Sequence, residues 1–220
     1  MNLKKRVLII ATIVSMSMLN FNAYANTQLL DSSVILADQE NDLRELIEFI
    51  LRMKADDPSM TEDEMISKID NRIRMERGIF DIWNSLTDSE KKLVIRYPLD
   101  ALKVNEARTI AINQTELKFG YSGLGDRSDA FRHGIWNAKM TMLIGKTQAE
   151  LFATAHEDKD TSGVETDGFS KLDHKNMDLH NNTVGRELGE MYADLSDAEL
   201  ANVIYDNIYQ ENSDFIWLHE

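Results

Sequence analysis

The sequence predicts an all-α protein: a compact single domain of many helices around a buried central helix at about residues 128–145. Only two prolines and ten glycines interrupt the 220 residues, so few positions break a helix. No stretch alternates apolar and polar residues in the way that a half-buried strand does. Capping-box pairs, which mark helix starts, add direct support. These pairs are Thr61 with Glu64, Thr87 with Glu90, Thr147 with Glu150, and Ser196 with Glu199.

Apolar residues at helical spacing place the helices along the chain. We expect them near residues 40–54, 61–84, 88–96, 98–117, 128–145, 148–157, 174–193 and 197–210. The region 40–118 is expected to be scaffold, because apolar residues such as Leu46 and Ile50 recur between charged residues. The region 125–190 is expected to carry the functional motifs.

The first 25 residues have the pattern of a secretory signal peptide. Basic residues at 4–6 precede an apolar run over 7–19, and Ala23-Tyr24-Ala25 supplies the cleavage pattern. The apolar run is short for a membrane helix, and no later segment is apolar enough to span a bilayer. We therefore expect cleavage after Ala25, a periplasmic or secreted protein, a flexible tail over 26–39 and a single helical domain over 40–220.

The composition restricts the binding partners and the source of stability. The net charge is −14, and removal of the basic leader makes it more negative. Such a surface repels phosphate backbones, so we expect no nucleic-acid binding by a basic surface. The chain has no cysteine, so its stability must come from an ordinary packed core.

The predicted central helix is apolar nearly all round, yet it carries a polar stripe. On a helical wheel the stripe comprises Asp129, Arg132, His133, Trp136 and Asn137. A buried polar group without a partner costs about 1–3 kcal/mol, so such a stripe needs a reason. It is either a network that fixes helix register, with Asp129 simply paired to Arg132, or a functional site. Four polar groups on one central helix favour a site. Ser128, just before the stripe, is expected to be the N-cap of this helix.

Two later segments add polar residues that could meet this stripe. His156 and Glu157 end the next predicted helix. The segment MDLHNNTVGRELGE, residues 177–190, places its polar and small residues in one band on the wheel: Asp178, Asn181, Asn182, Gly185 and Gly189. Glycines four residues apart let another helix approach closely, and the central helix is the natural partner. We therefore expect three helices to converge on one polar pocket.

The ordered motifs DAFRHGIWNAKM, TAHE and MDLHNNTVGRELG resemble an uncharacterised family of bacterial helical domains that occur in exported and toxin-like proteins. Members of that family read approximately as DAFRHAYWNALM, AHE and MDLHNNxxGR. The resemblance covers about residues 125–190 and departs mildly at Gly134. It implies a shared site, and it brings no known activity with it.

The residue types in the pocket favour hydrolysis by activated water, because no serine or cysteine lies in a nucleophile motif. We expect the catalytic residues to be His133, His156, Glu157 and Asp178. Three of them, His133, His156 and Asp178, could bind a divalent metal, with zinc favoured. The residues expected to contact the substrate are Arg132, Asn137, Asn181 and Asn182.

The substrate is expected to be a small molecule or an envelope component, with phosphoesters among the candidates. The alternative hypothesis is a non-catalytic secreted module, in which the polar network is structural and the acidic surface binds a protein partner. A solvent-connected pocket lined by His133, His156 and Asp178 would favour the hydrolase.

A second, weaker metal signal lies in the loop after Glu157. Asp158, Asp160, Ser162 and Gly163 match the early positions of a calcium-binding loop. Phe169 stands where that loop needs its bidentate glutamate, so the pattern predicts calcium only weakly.

Overall fold

The computed structural model describes residues 40–73 and 77–220. The expected signal peptide and flexible tail lie outside these residues. Within them the chain forms nine α-helices and no strand: α1 over 40–56, α2 Glu62–Ile73, α3 Arg77–Ser85, α4 Asp88–Arg96, α5 Pro98–Phe119, α6 Arg127–Ile144, α7 Lys146–His156, α8 Lys171–Met191 and α9 Asp197–Tyr209. The all-α prediction is confirmed. In place of the single helix expected over 61–84, α2 and α3 flank positions 74–76, which are outside the described residues.

Capping boxes fix three of the helix starts as the sequence predicts. Thr61 and Glu64 bond each other's backbone N–H before α2. The same reciprocal pairing precedes α4 at Thr87 and α9 at Ser196. Each box satisfies backbone donors that the first helical turn leaves without an intrahelical partner.

Two predicted helix caps are wrong. The pair Thr147–Glu150 forms no cap, because α7 begins directly after Gly145, which also ends α6. Ser128 is not the N-cap of α6, since Asp126 accepts hydrogen bonds from the N–H groups of Ser128 and Asp129. In both cases the chain turns into its helix one or two residues earlier than the sequence pattern indicates.

The helix α6 is the centre of the fold, as predicted. It packs against α5, α7, α8 and α9. Its large apolar side chains Phe131, Ile135 and Met140 are fully buried. A helix covered on all sides places any polar side chain it carries either in a network or in a cleft.

Two glycines of α8 allow its backbone to touch that of α6. A Cβ atom at Gly185 would collide with the backbone of Gly134, and one at Gly189 would collide with that of Ala138. The central helix is therefore the partner of the glycine band, as the sequence predicts. This close approach brings the polar band of α8 against the polar stripe of α6.

Residues Asp42–Glu220 form one compact unit. Apolar residues of the predicted scaffold, including Leu46, Ile50 and Trp83, belong to the same buried core as the side chains of α6. The last segment of the chain returns to the start of α6, where the N–H group of Leu218 donates to the carbonyl of Gly125. None of the helices in the described part of the chain is both long and apolar enough to cross a membrane.

Candidate functional site

Three side chains of types that bind metal ions converge where α6 meets α8. The Nε2 atom of His133 lies 3.5 Å from Oδ1 of Asp129 and 3.3 Å from Oδ1 of Asp178. One ligand atom from each residue lies within 4.8 Å of the other two. Asp129 and His133 are one turn apart on α6, and the glycines of α8 bring Asp178 against them. Among the described residues no other three such side chains converge in this way.

A chain of hydrogen bonds behind this group fixes the orientation of the His133 ring. Arg186 donates from Nη1 to Oδ1 of Asn137 at 3.1 Å, and Nδ2 of Asn137 donates to Oδ1 of Asn182 at 2.6 Å. The same Asn182 oxygen lies 3.1 Å from Nδ1 of His133. Because a guanidinium only donates, each amide has one possible orientation, and Nδ1 of His133 must be the donor. In the neutral form of the ring, Nε2 then carries the lone pair and faces Asp129 and Asp178, the arrangement found in metal-bound histidines.

The carboxylate of Asp129 is buried and held at both oxygens. Its Oδ2 accepts the N–H of Gly125 at 2.7 Å, and its Oδ1 accepts a hydrogen bond from Arg132. Arg132 also donates to Oγ of Ser122 and to the carbonyl of Gly123. Its guanidinium is therefore engaged with Asp129 and with the loop before α6, although Arg132 also lines the cleft described below.

Two further carboxylates carry negative charge into the same region. Glu157 is buried, with its Oε1 3.9 Å from Nδ1 of His133. The Oδ1 atom of Asp178 is buried without a hydrogen-bond partner among the described residues. Burial raises the pKa of Asp178 to about 6; the positive charge of His133 opposes the rise, while Glu157 and Asp129 add to it. The ionised form of Asp178 therefore lacks stabilisation that a nearby cation would supply.

These groups open onto a cleft of about 200 Å³. Its wall comes from the loop before α6, from α6 itself, from the end of α7 with the loop that follows, and from the start of α8. The lining residues are Leu124, Asp129, Arg132, His133, His156, Glu157, Lys159, Asp160, Thr161, Glu165, Lys171, His174, Lys175 and Asp178.

His156 lines this cleft but is not part of the converging group of three. Its Nδ1 lies 2.8 Å from Oε1 of Glu90 on α4, and its Nε2 lies 3.2 Å from Nζ of Lys159. Burial raises the pKa of the Glu90 carboxyl, but the hydrogen bond and charge of His156 outweigh it, so this pKa lies below its usual value. The sequence suggested His156 as the third metal ligand beside His133 and Asp178. In the structure the third member of the converging group is Asp129.

The three amides expected to contact substrate lie behind the cleft wall. Asn137 and Asn182 are fully buried and belong to the chain that orients His133. Asn181 is also fully buried, and it exchanges two hydrogen bonds with the backbone of Ile216. The structure therefore gives all three amides roles in packing and orientation.

The suggested calcium loop does not gather its acidic side chains. Asp160 accepts hydrogen bonds from the N–H and Oγ of Ser162, and Asp158 accepts one from Oγ of Ser89. Neither carboxylate joins a group of three metal-ligating side chains within the described residues. The loop closes on itself by local hydrogen bonds.

Several site residues were not identified from the sequence. Asp129 belongs to the predicted polar stripe but not to the expected ligand set, although its spacing of four residues from His133 matches two ligands on one helical face. Arg186 lies in the motif MDLHNNTVGRELG, but the pattern of that motif alone predicts no role for it. Lys171 and Lys175 carry a helical-spacing signal, since they precede Asp178 by seven and three residues.

A family model described as Domain of unknown function (DUF6973) matches residues 91–212, more than half of the chain. This chain belongs to that family. Every residue lining the cleft lies inside the DUF6973 match, and Glu90 lies one residue before it. The match is to an uncharacterised domain, as the sequence resemblance implies, and it is longer than the region 125–190. No curated protein and no solved structure matches this DUF6973 chain.

Proposed function

We propose that this protein is a hydrolase that uses a divalent metal ion held by Asp129, His133 and Asp178. The observation that carries the proposal is the convergence of one imidazole nitrogen and two carboxylates on the wall of an open cleft. Three protein ligands leave coordination positions for water and substrate, as in catalytic zinc sites. Zinc accepts this mixed set, and manganese also suits a set rich in carboxylates.

The charges around the three ligands support a cation at this position. Asp129, Glu157 and Asp178 place three carboxylates beside one histidine. Arg132 is in contact with Asp129 alone among them. Burial penalises ionised carboxylates unless a positive charge lies nearby. A divalent ion would offset this penalty and would give Oδ1 of Asp178 the partner that it lacks in the described structure.

Glu157 and His156 are placed to move protons during hydrolysis. A bound divalent ion lowers the pKa of a coordinated water, and Glu157 would accept the proton that this water releases. The water oxygen would then attack the electrophilic atom of the substrate, and the bond to the leaving group would break. With Nε2 of His156 protonated in place of accepting from Lys159, the ring, held by Glu90 at Nδ1, would donate the proton that the leaving oxygen needs.

The alternative, a non-catalytic module with a structural polar network, accounts for part of the site. The chain from Arg186 through Asn137 to Asn182 is satisfied internally, as a structural network should be. It does not account for the open cleft or for the unpartnered oxygen of Asp178. These two features favour the hydrolase. We further propose export, with cleavage after Ala25, on the strength of the leader pattern.

Metal titration of the purified protein tests the proposal. After treatment with a chelator, calorimetric titration with Zn²⁺ or Mn²⁺ should show one site, and Asp178→Asn should weaken it by about tenfold or more. Asp194→Asn, an exposed carboxylate with no partner in the described structure, is the matched control and should leave the titration unchanged. Equal affinity in the two variants, or no binding to the folded protein, would contradict the proposal. A screen of chromogenic esters and phosphoesters with the metal-loaded protein then tests for hydrolysis.

A further inference from the structure

One face of α8 presents two lysines in line with the proposed metal ligand. Lys171, Lys175 and Asp178 all line the cleft. With a rise of 1.5 Å per residue, the Cα atoms of the lysines lie roughly 4.5 and 10.5 Å along the helix axis from that of Asp178. The two ammonium groups and the ligand group therefore face the same space.

Neither lysine forms a hydrogen bond or a close ion pair in the described part of the chain, although both are half-buried. Asp160, also on the cleft wall, interacts with Lys171 only at longer range. Each other described lysine of limited exposure has a polar partner in the protein. Nζ of Lys139 lies 2.7 Å from Asp197, and Nζ of Lys91 lies 3.6 Å from Asp88. Lys146 pairs with Glu190, while Lys54 and Lys118 donate to a backbone carbonyl and a side-chain amide oxygen. In a chain with 38 acidic and 24 basic residues, partners for lysines are plentiful. Two ammonium groups that face a cleft without a bonded partner favour an anion from solution at this position.

The arrangement favours a phosphate group over a carboxylate. A carboxylate is best recognised by a free guanidinium that bonds both oxygens, and Arg132 is already engaged by Asp129, Ser122 and Gly123. Lysine binds phosphate as a point charge, and a phosphomonoester carries close to two negative charges at neutral pH. Two separate lysines beside a divalent ion match that doubled charge.

The size of the cleft agrees with a small group of this kind. Its volume of about 200 Å³ exceeds that of several water molecules, each of which occupies about 30 Å³ in the liquid. There is room for a phosphate group and an attacking water. The rest of the substrate would extend toward solvent.

We infer that the cleft binds and hydrolyses small phosphomonoesters, with Lys171 and Lys175 holding the phosphate oxygens. This inference rests on the proposed metal-dependent hydrolase. In the reaction a water oxygen forms a bond to phosphorus as its proton passes to Glu157. The phosphorus–oxygen bond to the alcohol breaks, and the alcohol oxygen takes a proton from His156. The products are the alcohol and inorganic phosphate.

The test compares the double variant Lys171→Gln/Lys175→Gln with Lys68→Gln/Lys92→Gln, which removes two exposed lysines outside the cleft. Binding of inorganic phosphate to the purified protein, measured by calorimetry with and without Zn²⁺, should weaken about 10- to 100-fold in the cleft variant only. Zn²⁺ affinity should be kept in both. With p-nitrophenyl phosphate the cleft variant should show a raised KM, and the variant outside the cleft should keep the KM of the unmodified protein.

The outcomes separate this inference from the proposed function. If Zn²⁺ binds and p-nitrophenyl acetate is hydrolysed, but phosphate binds equally to both double variants or to neither, the phosphate site is refuted and the hydrolase stands. If Zn²⁺ does not bind, the proposed function fails, and with it the hydrolytic role of the lysines. Faster hydrolysis of bis(p-nitrophenyl) phosphate than of the monoester would overturn the preference for a doubly charged group.

Discussion

Arg186 donates a hydrogen bond to Oδ1 of Asn137 at 3.1 Å. Although Arg186 does not line the cleft, this contact determines which nitrogen of His133 faces the cleft. The guanidinium fixes the amide of Asn137, Asn137 fixes that of Asn182, and Asn182 accepts from Nδ1 of His133. The glycine contacts between α6 and α8 make such a chain possible, because they bring the two polar faces within hydrogen-bond distance.

We predict that Arg186→Met weakens metal binding while keeping the fold. Without the donor, the amide of Asn137 can rotate, and the preference of His133 for a proton on Nδ1 is lost. Outer-sphere changes of this kind cost about 10- to 100-fold in metal affinity. Calorimetric titration gives the affinity, and the nitrogen chemical shifts of His133 report the tautomer.

Lys139→Met is the matched control for Arg186→Met. Lys139 is also a buried cation, but it pairs with Asp197, outside the chain that orients His133. Both variants should lower the melting temperature, and only Arg186→Met should change metal affinity and the tautomer. If the two variants bind metal equally well, Arg186 has a structural role alone.

The buried stripe on α6 could be predicted from the sequence because it depends on local geometry. The rotation of 100° per residue groups Asp129, His133 and Asn137 wherever the helix packs. The glycine band could also be predicted, since glycine is unfavourable inside a helix and Gly185 and Gly189 therefore indicate a close contact. Both features placed α6 against α8 without any tertiary information.

The division of roles among the polar residues could not be read in the same way. His156 departs from the expected ligand set because Glu90, on a different helix, holds its Nδ1. Asn181 faces the returning C-terminal segment, whose path no local pattern indicates. Such assignments depend on contacts between residues 35 and 66 positions apart, and a helical wheel contains no information about them.

We predict that Gly185→Ala lowers both stability and metal affinity. The new methyl group would collide with the backbone of Gly134 and approach Cβ of Asn137, so α6 and α8 must separate. Overpacking of this kind costs about 1–3 kcal/mol, and it also moves Asp178 away from His133. Thermal denaturation followed by circular dichroism, together with Zn²⁺ titration, measures the two effects. Glu187→Ala, on the exposed side of α8, should change neither quantity appreciably.

We predict that Glu157→Gln abolishes hydrolysis but retains the metal. The substitution keeps the shape of a buried side chain and removes its capacity to accept a proton, which costs about 10²- to 10⁴-fold in rate for a general base. Steady-state kinetics on a chromogenic ester gives kcat, and metal analysis gives occupancy. Glu165→Gln, at a carboxylate that also lines the cleft, is the control and should retain most activity. Loss of metal together with activity would make Glu157 a ligand or a structural residue.

We predict that the contact between the C-terminal segment and the loop after α7 is most stable in mildly acidic solution. Asp167 accepts from His174 and lies 3.2 Å from Nε2 of His219. Burial raises the pKa of Asp167, but hydrogen bonds from His174 and from the N–H of Phe169 outweigh it and place this pKa below 3.8. Hydrogen bonds to the carbonyls of Glu220 and Leu124 raise the pKa of His219 above 6.5, because both ring nitrogens then act as donors.

The signs of these two shifts define the pH window. The stabilisation that ionised Asp167 gives to the contact is present above pH 3.8 and is lost as the pH falls through its lowered pKa. The stabilisation that protonated His219 gives is present below pH 6.5 and is lost as the pH rises through its raised pKa. The N–H group of Leu218 donates to the carbonyl of Gly125 beside this contact, so its hydrogen exchange reports how stable the contact is. After correction for the intrinsic rate, exchange at Leu218 should therefore be slower at about pH 5.5 than at pH 8. In His219→Gln the difference between the two pH values should shrink. An unchanged profile in that variant would assign the pH dependence to other groups.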